Sequence, residues 1–212
     1  MNPPMQPIKG LYAVTPDLAD TALLVSKVEA VLAAGTRLLQ YRNKQADDRT
    51  RREQAEALCN LCRRHGATLI INDDVALAAA LDADGVHVGI EDAALLVARK
   101  QLGRGKIIGV SCYDDLSRAR AAVAHGADYV AFGSFFASSV KPRAVRAPLS
   151  LLPAARALGL PVVAIGGITL DNAGELIAAG ADAVAVISAL FAVPDPGSAT
   201  RKFCQLFQGQ TA

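Results

Sequence analysis

The chain has 212 residues, of which 52% are hydrophobic and 20% charged, and its formal net charge is +2. That length suits one large domain, or two small ones, able to bury a full core without disulfides or metals. The charge is too mild for a nucleic-acid footprint, and aromatic residues at 5% with no Trp argue against base-stacking platforms.

Residues 1–6 are Pro-rich and lack the apolar core of a leader, and every long apolar stretch is broken by charge, Gly or Pro. Neither a signal peptide nor a membrane span is expected. Four cysteines, Cys59, Cys62, Cys112 and Cys204, show no disulfide spacing. A reducing, cytoplasmic compartment is the expectation. Cys59 and Cys62 have CxxC spacing but fall inside a helical pattern, whereas a redox pair belongs at a helix start after a strand; they read as structural.

Apolar runs and helical periodicities alternate along the chain. Strands are predicted at 11–14, through 38–40, and at 68–71, 85–89, 107–110, 129–132, 161–165 and 183–187. Helices are predicted at 21–34, 47–64, 75–81, 91–102, 116–124, 151–158, 172–179 and 198–207. The strands are near-continuous apolar runs, as parallel strands buried on both faces should be. Gly126-Ala127-Asp128 before one strand echoes Gly180-Ala181-Asp182 before another, and Ala83-Asp84-Gly85 is a weaker echo. About eight strand–helix units at this length predict one small α/β domain, a (β/α)8 TIM barrel; the alternative is an open doubly wound sheet. No composition break divides the chain. The polar stretch 134–148, with Lys141, Arg143 and Arg146, is too long for an ordinary connection and reads as a flexible, basic lid.

Barrel enzymes work at the C-terminal ends of their strands. Those ends collect Gln40, Arg42 and Lys44; Asn72 and Asp73; Gly89 and Asp92; Ser111; Ser138 and Lys141; Gly166 and Gly167; Ile187 and Ser188. Strand alternation puts Gln40, Arg42 and Lys44 on one face and Tyr41 and Asn43 on the other. Arg offers a planar fork and Lys a point charge to phosphate, so an anion site is one reading and solvated loop charges the other. Asp73 and Asp92 follow neighbouring strands; they are either helix N-caps or, opposite a basic rim, carboxylates for a hard cation such as Mg2+. The turn Gly166-Gly167 and the pair Ile187-Ser188 occupy the usual place for a bound phosphate. His87 reads as a hydrogen-bonded core residue, His65 and His125 as helix-end residues, and no Ser/His/Asp or Cys/His set is evident.

Several stretches, in order, resemble the thiamine phosphate synthase family: QYRNK at 40–44, IIND at 70–73, ADGVHVGIED at 83–92, IGVS at 108–111, GADYVAFGSFF at 126–136, SSVKP at 138–142, AIGGI at 164–168 and AVISA at 185–189. The resemblance implies a transferase that joins a pyrimidine methyl diphosphate to a thiazole phosphate in a Mg2+-dependent, dissociative reaction. It implies Asp73 and Asp92 as metal ligands. The pyrimidine substrate falls to Gln40, Arg42, Lys44, Asn72, Ser111 and Lys141, with Tyr41 and Asn43 taken in as part of the motif. Ser138, Ser139, Val140, Gly167, Ile187 and Ser188 take the thiazole phosphate, and Arg42, Lys44, Ser111 and Lys141 are the catalytic candidates. Small-molecule substrates, no nucleic acid, no membrane and a possible homo-oligomer complete the picture. Departures from the family pattern are Asn43, Ile90, Ser138, Val140 and Asp74. Three rivals share the fold: a thiazole tautomerase, a non-catalytic phosphometabolite-binding barrel, and a sugar-phosphate isomerase or synthase.

Overall fold

The computed structural model describes residues 8–89, 92–137 and 146–208, with the side chains of residues 92 and 93 left aside. Eight parallel strands close into a barrel in sequence order: β1 (Gly10–Val14), β2 (Leu38–Tyr41), β3 (Thr68–Asn72), β4 (Gly85–Val88), β5 (Ile107–Tyr113), β6 (Tyr129–Phe132), β7 (Val162–Ile165) and β8 (Ala183–Val186). The ring is sealed by β1 against β8, with Gly10 beside Ala183 and Ala13 beside Val186. The expected barrel is therefore the observed one, and the open sheet is excluded.

The helices form the outer layer: α1 (Thr21–Ala33), α2 (Asp48–His65), α3 (Val75–Ala80), α4 (Asp92–Leu102), α5 (Leu116–Ala124), α6 (Leu151–Arg156), α7 (Leu170–Ala178), a short α8 (Ser188–Phe191) and α9 (Pro196–Gln208). Local chemistry starts and stops them. Asp20, Asp47, Asp74 and Asp115 cap α1, α2, α3 and α5 through side-chain oxygens, and Gly66 ends α2 in the left-handed region at φ 60°. Asp74, a departure from the family pattern, thus has a structural task at the start of α3. Cys59 and Cys62 lie within α2, where burial pushes both thiols up.

Strand alternation splits the core in two. Outward residues such as Leu11, Leu39, Ile71, Val86, Val130 and Val184 pack under the helices. Inward residues, among them Tyr12, Leu38, Ile70, Ile107, Tyr129, Val163 and Ala183, fill the barrel. The Tyr129 ring has a place because Gly109 stands opposite it on β5; a Cβ at 109 would strike that ring.

The echoed Asp residues share one task. Asp84, Asp128 and Asp182 each precede a strand, and each accepts a hydrogen bond from a neighbouring strand's N–H: Leu69 at 2.8 Å, Ile108 at 2.7 Å and Val162 at 2.8 Å. The repeat ties successive strands together where they enter the barrel, and Arg99 meets Asp128 from outside at 2.6 Å.

Candidate active site

At the opposite end, the strand termini surround a cavity of about 280 Å3 lined by Gln40, Arg42, Lys44, Asn72, Asp73, His87, Gly89, Ser111, Gly166, Ile187 and others. The β2 terminus supplies the cations. Arg42 Nη1 donates to Asp17 Oδ1 at 3.0 Å, and the same oxygen accepts the Lys44 backbone N–H at 2.9 Å. Thr15, just past the end of β1, clasps the Arg42 backbone, accepting its N–H and donating to its carbonyl, both at 2.8 Å. The Lys44 ammonium lies 3.3 Å from Asp73. Asp73 adopts a left-handed backbone, φ 61°, and accepts from Asn72 Nδ2 at 2.7 Å. A left-handed aspartate is uncommon, and here it turns the carboxylate to the mouth while Asp74 takes the cap.

Tyr41 and Asn43 do not join this mouth cavity. Their side chains point to α2, as period-2 alternation requires: Tyr41 Oη donates to Gln54 at 3.0 Å, and Asn43 Nδ2 donates to Gln54 and to the Leu18 carbonyl. Asn43 Oδ1 also accepts from the Gln45 and Ala46 N–H groups. Both residues line a neighbouring cavity with Lys44, Asn72 and Asp73, and they hold the loop that presents Arg42 and Lys44.

The floor holds what the sequence reading missed. Gln40 Nε2 donates to Tyr12 Oη at 2.9 Å, Tyr12 Oη meets Tyr129 Oη at 2.9 Å, Tyr129 Oη meets His87 Nδ1 at 2.8 Å, and His87 Nε2 meets Ser111 Oγ at 2.8 Å. His87 is a hydrogen-bonded interior residue, as expected, and it is paired with Ser111, with the Tyr129 hydroxyl and not a carboxylate on its other ring nitrogen. Burial pulls its pKa down to about 4, against an opposing pull from Asp73. The same burial pushes the Tyr12 and Tyr129 phenols up.

Across the mouth, Gly166 and Gly167 follow β7 with φ 106° and 63°. A side chain at either would strike the β6 loop, at Ser134 Oγ or at the Ala137 carbonyl. The glycines therefore let two loops meet, and Phe135 and Phe136 N–H groups bond the Ile165 and Gly166 carbonyls there. Gly167, Ile187 and Ser188 line an adjoining cavity of about 330 Å3. The expected lid at 134–148 has its two flanks tied to each other: Ala147 N–H donates to the Ser134 carbonyl at 2.9 Å. Ser138, Ser139, Val140 and Lys141, at 138–141, lie outside the described residues. Asp92 opens α4 on the loop next to that of Asp73, and its carboxylate also lies outside them.

Among the described residues no group of three His, Cys, Asp or Glu side chains is placed to hold a metal. The Asp73 carboxylate is a hard oxygen donor beside a cationic rim. That fits a cation held by one or two carboxylates together with substrate phosphates and water, and does not fit a soft-metal cage.

A closed (β/α)8 barrel with a polar floor, a cationic rim and a glycine turn at the seventh strand defines a phosphate-handling barrel enzyme. The thiamine monophosphate synthase family model matches residues 11–190. The thiamine-phosphate synthase of Methylobacillus flagellatus is 60% identical over 96% of this chain and 97% of its own, and that of Azoarcus sp. is 58% identical over 94% and 98%. The thiamine phosphate pyrophosphorylase structure from Pyrococcus furiosus superposes with a TM-score of 0.83 at 35% identity, covering 96% of this chain and 97% of that one. The chain belongs to the thiamine monophosphate synthase family, and it is an enzyme: a transferase that forms thiamine phosphate in thiamine biosynthesis.

Proposed function

We infer that the chain joins 4-amino-2-methyl-5-hydroxymethylpyrimidine diphosphate to thiazole phosphate, releasing pyrophosphate. The observation that carries this reading is the two-ended mouth. Arg42, Lys44 and Asp73 stand on the β2–β3 side, the Gly166-Gly167 turn on the β7–β8 side, and Gln40 and Ser111 on the floor between them. Two anionic substrates fit such a site with the pyrimidine's reacting carbon and the thiazole nitrogen over its middle.

Pyrophosphate leaves readily only when its growing charge is matched. Arg42, aligned by Asp17, and Lys44, which can trade Asp73 for a phosphate oxygen, match it from this chain, with Lys141 as a further candidate. Mg2+, held by Asp73 and Asp92, would supply Lewis-acid neutralisation of the diphosphate. In the dissociative course proposed, the thiazole nitrogen attacks a pyrimidine-stabilised cation, and no strong base is needed. The apolar walls of the mouth, Val14, Ala131, Val163, Ile165 and Ala185, keep water from that cation. Ser138, Ser139, Val140, Gly167, Ile187 and Ser188 are proposed for the thiazole phosphate. A cytoplasmic location is part of the proposal and rests on four free cysteines. No helix among the described residues is long and apolar enough to cross a membrane.

The test is pyrophosphate release with both substrates, with Mg2+ and with a chelator. The expected result is release that needs both substrates and the metal and falls at least about 100-fold in Asp92→Ala, the scale of losing one preorganised electrostatic group. Absence of release, with the thiazole phosphate still bound, would turn the reading toward a tautomerase or a binding barrel.

A further inference from the structure

Ser111 and His87 are 2.8 Å apart, the spacing of a serine nucleophile and its base. The hydrogen bonds behind them decide against that role. With the Gln40 amide as the structure has it, Nε2 toward Tyr12, the Tyr12 oxygen accepts. The Tyr12 proton then has one acceptor in reach, the Tyr129 oxygen. The Tyr129 proton in turn goes to His87 Nδ1. A neutral imidazole that accepts at Nδ1 carries its proton on Nε2, so His87 donates to Ser111 Oγ. From Tyr12 to His87 every proton is then used once, and the Ser111 hydroxyl proton at the end of the row is left without a partner in it. A protonated His87 would break this order: Tyr129 would receive two donors and have nowhere to place its own proton.

We propose that the row Gln40–Tyr12–Tyr129–His87 is a polarity-setting device that makes Ser111 a hydrogen-bond donor into the mouth, aimed at an acceptor atom of the pyrimidine diphosphate, and not a nucleophile. Tyr12, Tyr129 and His87 are positioning residues: they act on the ligand through Ser111. Removing the device is unfavourable in a buried setting, because each break strands a polar group away from water. The tyrosines come from β1 and β6 and the histidine from β4, so barrel closure is what assembles the row. The proposed aim at the pyrimidine diphosphate rests on the function inferred above; the polarity itself does not.

The first experiment is long-range 15N–1H correlation on the ligand-free wild-type protein at neutral pH, with the His87 signals assigned by their loss in His87→Asn. An unprotonated Nδ1 and a protonated Nε2 are expected. A protonated Nδ1 with a bare Nε2 overturns the proposal, because the row would then run the other way and Ser111 would spend its proton on His87 Nε2. A fluorophosphonate reagent, which labels base-activated serines, should leave Ser111 unmodified, and an adduct on Ser111 would equally overturn it. In Tyr129→Phe the His87 tautomer should lose its fixed order and kcat should fall on the order of 10-fold, the scale at which supporting partners act. Unchanged tautomer and unchanged rate in that variant would refute the device. The tautomer and labelling readouts need no substrate. A protein that made no thiamine phosphate yet kept the Nε2–H tautomer would fail the functional reading alone.

Discussion

At the level of single residues, Asp17 and His87 do the most with the least visibility. Asp17 Oδ1 holds both the Arg42 guanidinium and the Lys44 backbone N–H. Asp17→Ala removes both bonds and should lower kcat/KM about 10-fold, the equivalent of one charge-assisted hydrogen bond, measured by steady-state kinetics. Asp17→Asn keeps an acceptor oxygen and should lose less. His87 is buried neutral, with its pKa pulled down to about 4, so the unfolded chain takes up a proton below about pH 6.5 that the folded chain refuses. Stability is therefore complete above that value and is lost as pH falls toward 4. Urea unfolding should show wild type losing about 2 kcal/mol more than His87→Asn between pH 6.5 and 5. Neither residue can be read along the chain. Asp17 follows a Thr-Pro turn and meets Arg42 only because β1 and β2 pair with Val14 beside Gln40. Tyr12 and Tyr129 look like ordinary members of apolar runs until closure brings their hydroxyls together. By contrast, the facing of Gln40, Arg42 and Lys44 follows from alternation alone, and alternation also sends Tyr41 and Asn43 to the helix side.

Among the elements, the entrance clamps explain a pattern that the sequence displays without its reason. The Gly-Ala-Asp echo marks strand starts, but the acceptor role of each Asp belongs to the preceding strand, more than a dozen residues away. Asp182→Ala strands the Val162 N–H and should destabilise the fold by about 1–3 kcal/mol in thermal or urea unfolding, with pyrophosphate release unchanged below the transition, since the active site lies at the other end. Helix positions were readable from caps and periodicity to within a residue or two for α1, α2, α3 and α5. The exception is α8 (Ser188–Phe191), whose four residues are too few to show a period. The Gly166-Gly167 turn reads in the sequence as a place for a bound phosphate; within the described residues the β6 loop closes on it.

For the molecule as a whole, closure divides labour by height. The lower ring of aspartates fastens the strands, the middle of the barrel is filled by apolar side chains, and the upper rim carries the polar chemistry. The eight-unit pattern is strong enough in the sequence to indicate the barrel. The hydrogen-bonded row across the floor is not, because it joins residues from five different strands that meet only in three dimensions.

The pairing of Gly109 with Tyr129 also has an evolutionary consequence. The ring occupies the volume that any side chain at 109 would need. Drift at the two positions is therefore coupled: a relative with Ala or a larger residue at 109 should carry something smaller than Tyr at 129, and would have to orient its floor serine by another route. A lineage that loses this glycine would give up the hydroxyl row before it gave up the barrel.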